Sequence, residues 1–274
     1  MNPNKELWEK GDFSKLAATM RASSDALADR LGITPGMKVL DLACGDGATA
    51  LPIARRGADV LGIDIARNLV AAGQARIAAE GLANCRITEG DACDLSDLPD
   101  DGFDLVVSIF GAMFAPCPLD VARAMVRVTR PGRRVVMGNW IPGDPTMVAQ
   151  ILKLLSEYGP PPPEGFIPPT AWGVAANVID RFGQAGIPPE AITTEPAFYE
   201  FHLDEPPNAL AELFMTYFGP VMRVFESLGE GPRADELRRK LTELIARENR
   251  SRDGKTHIAA RYLLVTVRMP QPVS

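Results

Sequence analysis

Histidine and cysteine are scarce here: two histidines and four cysteines among 274 residues. The cysteines Cys44, Cys85, Cys93 and Cys117 include no Cys-x-x-Cys pair, and His202 and His257 lie far from all of them in sequence. This spacing offers no zinc framework, so no metal is expected. The thiols read as reduced, in a cytoplasmic protein. Basic residues are in deficit, 29 Lys and Arg against 35 Asp and Glu, for a formal net charge of -6. That balance excludes the basic face of a nucleic-acid binder and leaves a small-molecule partner, with the protein a monomer or homodimer. No apolar run reaches membrane-spanning length. Residues 1–6 lack the basic and apolar regions of a signal peptide. What the chain does have is a 46% hydrophobic content and a mean hydropathy of -0.02. Those values fit a globular chain with a substantial core.

Residues 1–36 read as a helical segment in which Leu16, Met20, Leu27 and Leu31 form one apolar stripe. From residue 37, strands and helices alternate. Strands are expected at 38–43, 60–64, 85–89, 105–108 and 134–140, and helices at 48–56, 66–79 and 119–129. Continuously apolar strands such as Leu105-Val106-Val107 predict a parallel sheet with helices on both faces. The pattern then breaks. A helix at 146–158 precedes four consecutive prolines within 159–163, and a second helix is expected at 171–183. Residues 197–203 and 257–268 read as the last two strands, with two helices at 210–224 and 233–249 between them. Cap elements are thus expected at about 141–185 and 205–252, within one domain spanning 37–274.

One constellation carries chemistry. The first strand ends in Asp41-Leu42-Ala43-Cys44-Gly45-Asp46-Gly47, and the second ends in Asp64, 23 positions after Asp41. A glycine turn lets the backbone approach a nucleoside, and a carboxylate closing the second strand accepts from both ribose hydroxyls. Two details separate this turn from a dinucleotide fingerprint. Its third glycine is replaced by Ala50, and Asp41 stands ahead of the turn. A carboxylate there repels a pyrophosphate and attracts an amine or sulfonium.

This Asp-x-x-x-Gly-x-Gly spacing resembles the first motif of class I S-adenosylmethionine-dependent methyltransferases, and Asp64 resembles that family's ribose-binding acid. Ala43 stands where many members carry glycine, and a negative φ is expected there. Gly90-Asp91-Ala92 is similar to the adenine-contacting motif. The stretches 103–108 and 128–136 are similar to the motifs of the fourth and fifth strands, with Arg133 replacing a frequent glycine. The resemblance spans about residues 37 to 140 and is closest to the ubiquinone- and menaquinone-biosynthesis type. It implies a Rossmann-like, doubly wound sheet of seven mostly parallel strands with an antiparallel last strand. It also implies S-adenosylmethionine as cofactor, contacted by Asp41, Ala43, Gly45, Gly47, Asp64, Ile65, Asp91, Ala92 and Ser108. The segment 1–36 is expected to cover this site.

The loop after Ser108 borders the transferable methyl. It holds neither the Pro-Pro-aromatic tetrad of base-amine methylation nor the carboxylates of metal-dependent catechol chemistry. Phe110, Met113 and Phe114, with Trp140 and Trp172, are the expected wall of a fairly apolar or aromatic acceptor. His202 and His257 are the candidate bases, ahead of Tyr199, Tyr217 and Glu200, although each histidine also fits a structural role. Two other readings stand beside methyl transfer: a non-catalytic S-adenosylmethionine-binding regulatory subunit, and an NAD(P)-dependent oxidoreductase. The second requires the third glycine that this turn lacks.

Overall fold

The computed structural model describes residues 4–271. Residues 1–3 and 272–274, which fall in the spans expected for the N-terminal segment and the main domain, lie outside the described residues. The N-terminal segment is helical but broken. It comprises α1 (Asn4–Glu9), α2 (Phe13–Ala17), a 3-10 turn at Ala18–Met20, and α3 (Arg21–Arg30). Its expected stripe of Leu16, Met20, Leu27 and Leu31 is buried throughout.

The alternating region follows as β1 (Lys38–Leu42), α4 (Ala50–Arg55), β2 (Asp59–Asp64), α5 (Arg67–Glu80), β3 (Cys85–Glu89), β4 (Phe103–Ile109), α6 (Pro118–Val128) and β5 (Thr129–Trp140). Each helix has a readable stop or start. Gly81 takes the left-handed conformation that closes α5, and α6 opens on a proline whose missing N–H costs nothing there. Val121, Ala122, Met125 and Val128 bury one face of α6 against the sheet. The chain then continues through α7 (Met147–Tyr158), α8 (Ala175–Gln184), β6 (Ile192–Leu203), α9 (Pro207–Tyr217), α10 (Gly219–Leu228), α11 (Pro232–Glu248) and β7 (Thr256–Arg268).

The seven strands form one sheet in the order β3-β2-β1-β4-β5-β7-β6. Strands β1 to β5 are parallel, and β7 runs antiparallel to both β5 and β6. This is the Rossmann-like, doubly wound architecture expected. The strand order reverses between β1 and β4, and a crevice opens beyond the carboxyl ends of strands at such a point. Both β1 and β4 are buried along almost their whole length, as strands covered on two faces must be. No helix among the described residues is long and apolar enough to cross a membrane.

Three expectations are corrected. The helix expected at 210–224 is two helices, because Phe218 is extended and Pro220 cannot continue α9. Gly219 at the break lies so close to the Leu7 carbonyl that a Cβ would sit 2.4 Å from it. The helix expected at 171–183 begins at Ala175, after a 3-10 turn at Pro169–Gly173. Finally, the four cysteines are not all free thiols. Cys93 and Cys117 form a disulfide with Cα atoms 5.9 Å apart, while Cys44 and Cys85 are free and buried. The bond joins the loop after β3 to the start of α6, a closure that chain spacing alone does not reveal. Reducing it, or replacing Cys93 with serine, is expected to cost about 3 kcal/mol through restored chain entropy. An unchanged melting temperature with and without dithiothreitol contradicts the pairing.

Candidate functional site

The crevice at the β1/β4 switch is a cavity walled by three parts of the chain. The end of β1 and the turn after it supply Asp41, Ala43, Cys44, Gly45 and Asp46. The ends of β2 and β3 supply Asp64, Ile65, Gly90, Asp91 and Ala92. Opposite them stand Phe110, Gly111, Phe114, Trp140, Tyr199, Phe201, Phe214 and Phe218, with Trp8, Phe13, Leu16 and Met20 from the N-terminal segment. Among the described residues, the charged groups lining the cavity are four carboxylates, all on the side of the turn and the β2 and β3 ends, with no Lys, Arg or His.

The turn is built against backbone preference. Ala43 adopts φ +55°, not the negative φ expected, at a cost of about 1–2 kcal/mol for a residue with a Cβ. The reversal lets the Cys44 amide donate to the Ile63 carbonyl (3.0 Å) and the Gly47 amide to the Cys44 carbonyl (3.0 Å). Gly45 is also left-handed. Gly47, expected at the cofactor, stands outside the lining. Its φ is +77°, and a Cβ there would meet Leu51 and Ile87 at 2.5 and 2.7 Å, so it seats the turn on the core.

Asp64 is 6% exposed, and backbone donors hold both its oxygens: the Gly45 amide at 2.7 Å and the Ala66 amide at 2.9 Å. A carboxylate oxygen has two lone pairs, so each can still accept a hydroxyl. Burial raises its pKa, opposed by these amides. Asp41 is 1% exposed; the Ala50 amide donates to it, yet Oδ2 has no partner. Burial, and then the charge of Asp64, pushes the Asp41 carboxyl well above its ordinary value near 3.8. An orphaned buried carboxyl oxygen at a cavity wall is left to be satisfied by its own proton, by a donor or by a cation. Asp46 is held from the other side by Arg21 at 2.9 Å and Arg76 at 3.3 Å. Asp91 closes its own turn by accepting from the Cys93 amide at 2.9 Å.

The Asp41 shift predicts a pH dependence. The folded chain binds this proton more tightly than the unfolded chain. Its contribution to stability is therefore full below the unfolded value and declines as pH rises toward the raised folded value. Asp41→Asn is expected to raise the melting temperature of the ligand-free protein at pH 8 while weakening any cationic ligand. A lower melting temperature with unchanged binding contradicts the orphaned-carboxylate reading.

On the opposite wall, Phe110 is left-handed at φ +60° and stacks on Trp140 with ring centroids 3.7 Å apart. Tyr199 and Tyr262 meet the same ring edge-on. Trp8 contacts Phe13, Phe114 and Phe218 within 6 Å, closing the cavity with an aromatic roof. Two residues expected in this wall, Met113 and Trp172, stand outside it, as does Ser108, expected at the cofactor. Met113 turns into the core at 2% exposure. Trp172 is buried at 1% exposure, and the Arg181 guanidinium covers its ring at 4.4 Å. Ser108 ties β1 to the acceptor loop, donating to the Leu42 carbonyl at 2.7 Å and accepting from the Ala112 amide at 3.0 Å.

The candidate bases also lie elsewhere. His202 and His257 stack on each other on the face of the β6–β7 pair opposite Tyr199 and Phe201, beside Glu200. Tyr199 does line the cavity, but its hydroxyl pairs with Ser24 at 2.7 Å, and burial drives its pKa upward, so it remains protonated. Sequence reasoning missed Gly111, Arg21 and the Trp8–Phe13 roof. For Arg21 the only signal is an arginine on the N-terminal helix, with nothing local to link it to Asp46.

The fold and the acid-lined cavity define a Rossmann-like α/β protein whose crevice suits a positively charged ligand. A methyltransferase-domain family model matches residues 39–132. An uncharacterized protein of Mycobacterium tuberculosis is 31% identical over 245 residues, covering 89% of this chain and 87% of that protein. The demethylmenaquinone methyltransferase of Geobacillus kaustophilus is 33% identical over 110 residues, 39% of this chain and 47% of that one. Among solved structures, phosphoethanolamine N-methyltransferase 2 of Haemonchus contortus, in complex with phosphomonomethylethanolamine and S-adenosylhomocysteine, matches with a TM-score of 0.58 at 17% identity. The match covers 91% of this chain and 53% of that one. The chain belongs to the class I S-adenosylmethionine-dependent methyltransferases.

Proposed function

We propose that this enzyme methylates a small, flat, apolar or aromatic acceptor of quinone-like or natural-product-like character. The observation that carries the reading is the division of the cavity. Carboxylates are confined to the turn and the β2 and β3 ends, whereas the opposite wall is aromatic. The Geobacillus relative's name gives it demethylmenaquinone as acceptor, which agrees with such a wall. A phosphorylated acceptor like that bound by the Haemonchus enzyme wants a basic side chain, and the lining has none.

In this reading Asp64 takes the ribose hydroxyls, Asp91 and the Ala92 backbone take the adenine edge, and Asp41 faces the cationic end of the donor. Gly45 and Ile65 provide close backbone and apolar contact. S-adenosylmethionine, when bound, supplies an electrophilic methyl on a sulfonium. The chain's own residues contribute alignment and dryness: Phe110, Trp140 and Phe114 fix the acceptor plane, and the Trp8 roof excludes water. Because the aromatic wall holds no His, Lys or carboxylate, the acceptor arrives as its own nucleophile, a ring carbon or an already ionised oxygen. The N-terminal segment acts as part of the site, through Trp8, Phe13, Leu16 and Met20. No nucleic-acid partner is proposed.

Phe110→Ala is the test. It is expected to raise the acceptor KM about tenfold or more through lost stacking area, with S-adenosylmethionine affinity within about twofold of wild type. The reverse pattern removes Phe110 from the acceptor wall.

A further inference from the structure

The two histidines, far apart in sequence, meet across a strand pair. In the β6–β7 register His202 stands opposite His257, and Glu200, two residues back on β6, shares their face. Their rings stack with centroids 4.5 Å apart and 19° between planes. Both Nε2 atoms converge on one carboxylate oxygen, Glu200 Oε2, at 3.2 Å from His202 and 3.4 Å from His257. The His257 Nε2 is closed to solvent and has no hydrogen-bond partner, although it is aimed into the cluster. One ligand atom from each residue falls within 4.8 Å of the other two.

We propose that Glu200, His202 and His257 bind a divalent ion of the zinc class on the outer face of the β6–β7 pair. Ligand atoms around tetrahedral zinc, with bonds of about 2.1 Å, lie about 3.4 Å apart, the spacing already present between carboxylate and imidazoles. Two imidazoles and one carboxylate suit Zn2+ better than the hard, all-oxygen cations. The three side chains remain 37–44% exposed, which leaves the fourth position to water. Nearby cations are engaged elsewhere: Lys255 pairs with Asp204 at 2.7 Å, and the Arg250 guanidinium sits over the Phe198 ring. The expectation of no metal followed from sequence spacing, which conceals a cross-strand pair. The ion lies across the sheet from the cavity and takes no part in transfer. It staples the end of β6, whose other face presents Tyr199 and Phe201 to the acceptor.

The test uses untagged, chelator-treated full-length protein titrated with ZnCl2 by calorimetry and with CoCl2 by visible absorption. One equivalent is expected to bind in the micromolar range or tighter, with a tetrahedral Co2+ spectrum and a raised melting temperature. His202→Ala, at an exposed position, and His257→Ala, at a half-buried one, are each expected to weaken binding at least about tenfold and abolish the melting shift. The neighbouring Glu205→Gln is expected to leave both unchanged. Absence of wild-type binding, or binding unaffected by both histidine substitutions, overturns the site and leaves a stacked histidine pair beside Glu200 only.

Discussion

Replacing Gly111 with alanine is expected to abolish donor binding. Gly111 has φ -92°, a conformation alanine adopts freely, so the obstacle is contact, not backbone strain. A Cβ would sit 2.2 Å from the Ala43 carbonyl oxygen, 2.6 Å from the Ala43 Cβ and 3.0 Å from its carbonyl carbon. These atoms belong to the left-handed pivot of the cofactor turn, and no flexible side chain can yield in their place. Either the turn or the acceptor loop must move. Moving the turn displaces Gly45 from Asp64, and moving the loop breaks the Ser108 bridge to Leu42. We expect S-adenosylmethionine affinity to fall more than about 100-fold, or about 2.7 kcal/mol, with a lower melting temperature from overpacking. Gly183→Ala is the control: Gly183 lies in α8 with open space around it, and a helical alanine there should stabilise by about 0.5–1 kcal/mol. Normal cofactor affinity in Gly111→Ala means the turn and the loop are not in this contact.

Asp64→Ala is expected to weaken both S-adenosylmethionine and S-adenosylhomocysteine by about 1.5–3 kcal/mol, roughly 10- to 150-fold. The loss has two sources. The ribose hydroxyls lose a charged acceptor, and the amides of Gly45 and Ala66 lose the oxygens they now donate to at 2.7 and 2.9 Å. The second source loosens the turn even without ligand. Asp64→Asn separates them, since its single carbonyl oxygen can keep only one of the two amides. We expect it to bind the donor with an affinity between wild type and alanine. Because product and donor share the ribose, both must weaken alike. A selective effect on S-adenosylmethionine would move Asp64 from the sugar to the sulfonium end.

The parallel sheet was readable because strands buried on both faces must be continuously apolar, and 105–107 fully satisfies that requirement. The first turn was readable because its acids and glycines lie close together in sequence. What escaped depends on contacts between distant segments. Gly111 looks like any loop glycine until β1 and β4 are laid side by side, so that its α-carbon meets Ala43. The Cβ of Ala43 alone implies a negative φ, but the turn's hydrogen bonds, Cys44 to Ile63 and Gly47 to Cys44, override that preference. Met113 and Trp172 were assigned to the acceptor wall by composition, and periodicity gives no direction to a residue in a 3-10 turn. The aromatic roof brings Trp8 to Phe218 across most of the chain. The break at Phe218 does carry a local signal, Pro220 in the first turn of α10.

The central claim is that a cavity with four carboxylates and no basic side chain accepts an adenosyl sulfonium and rejects a pyrophosphate. Titrating the purified protein calorimetrically with S-adenosylmethionine, and separately with NAD and NADP, tests it most directly. We predict one equivalent of S-adenosylmethionine bound, and no heat of binding from either dinucleotide. Saturable dinucleotide binding with none by S-adenosylmethionine would contradict the account.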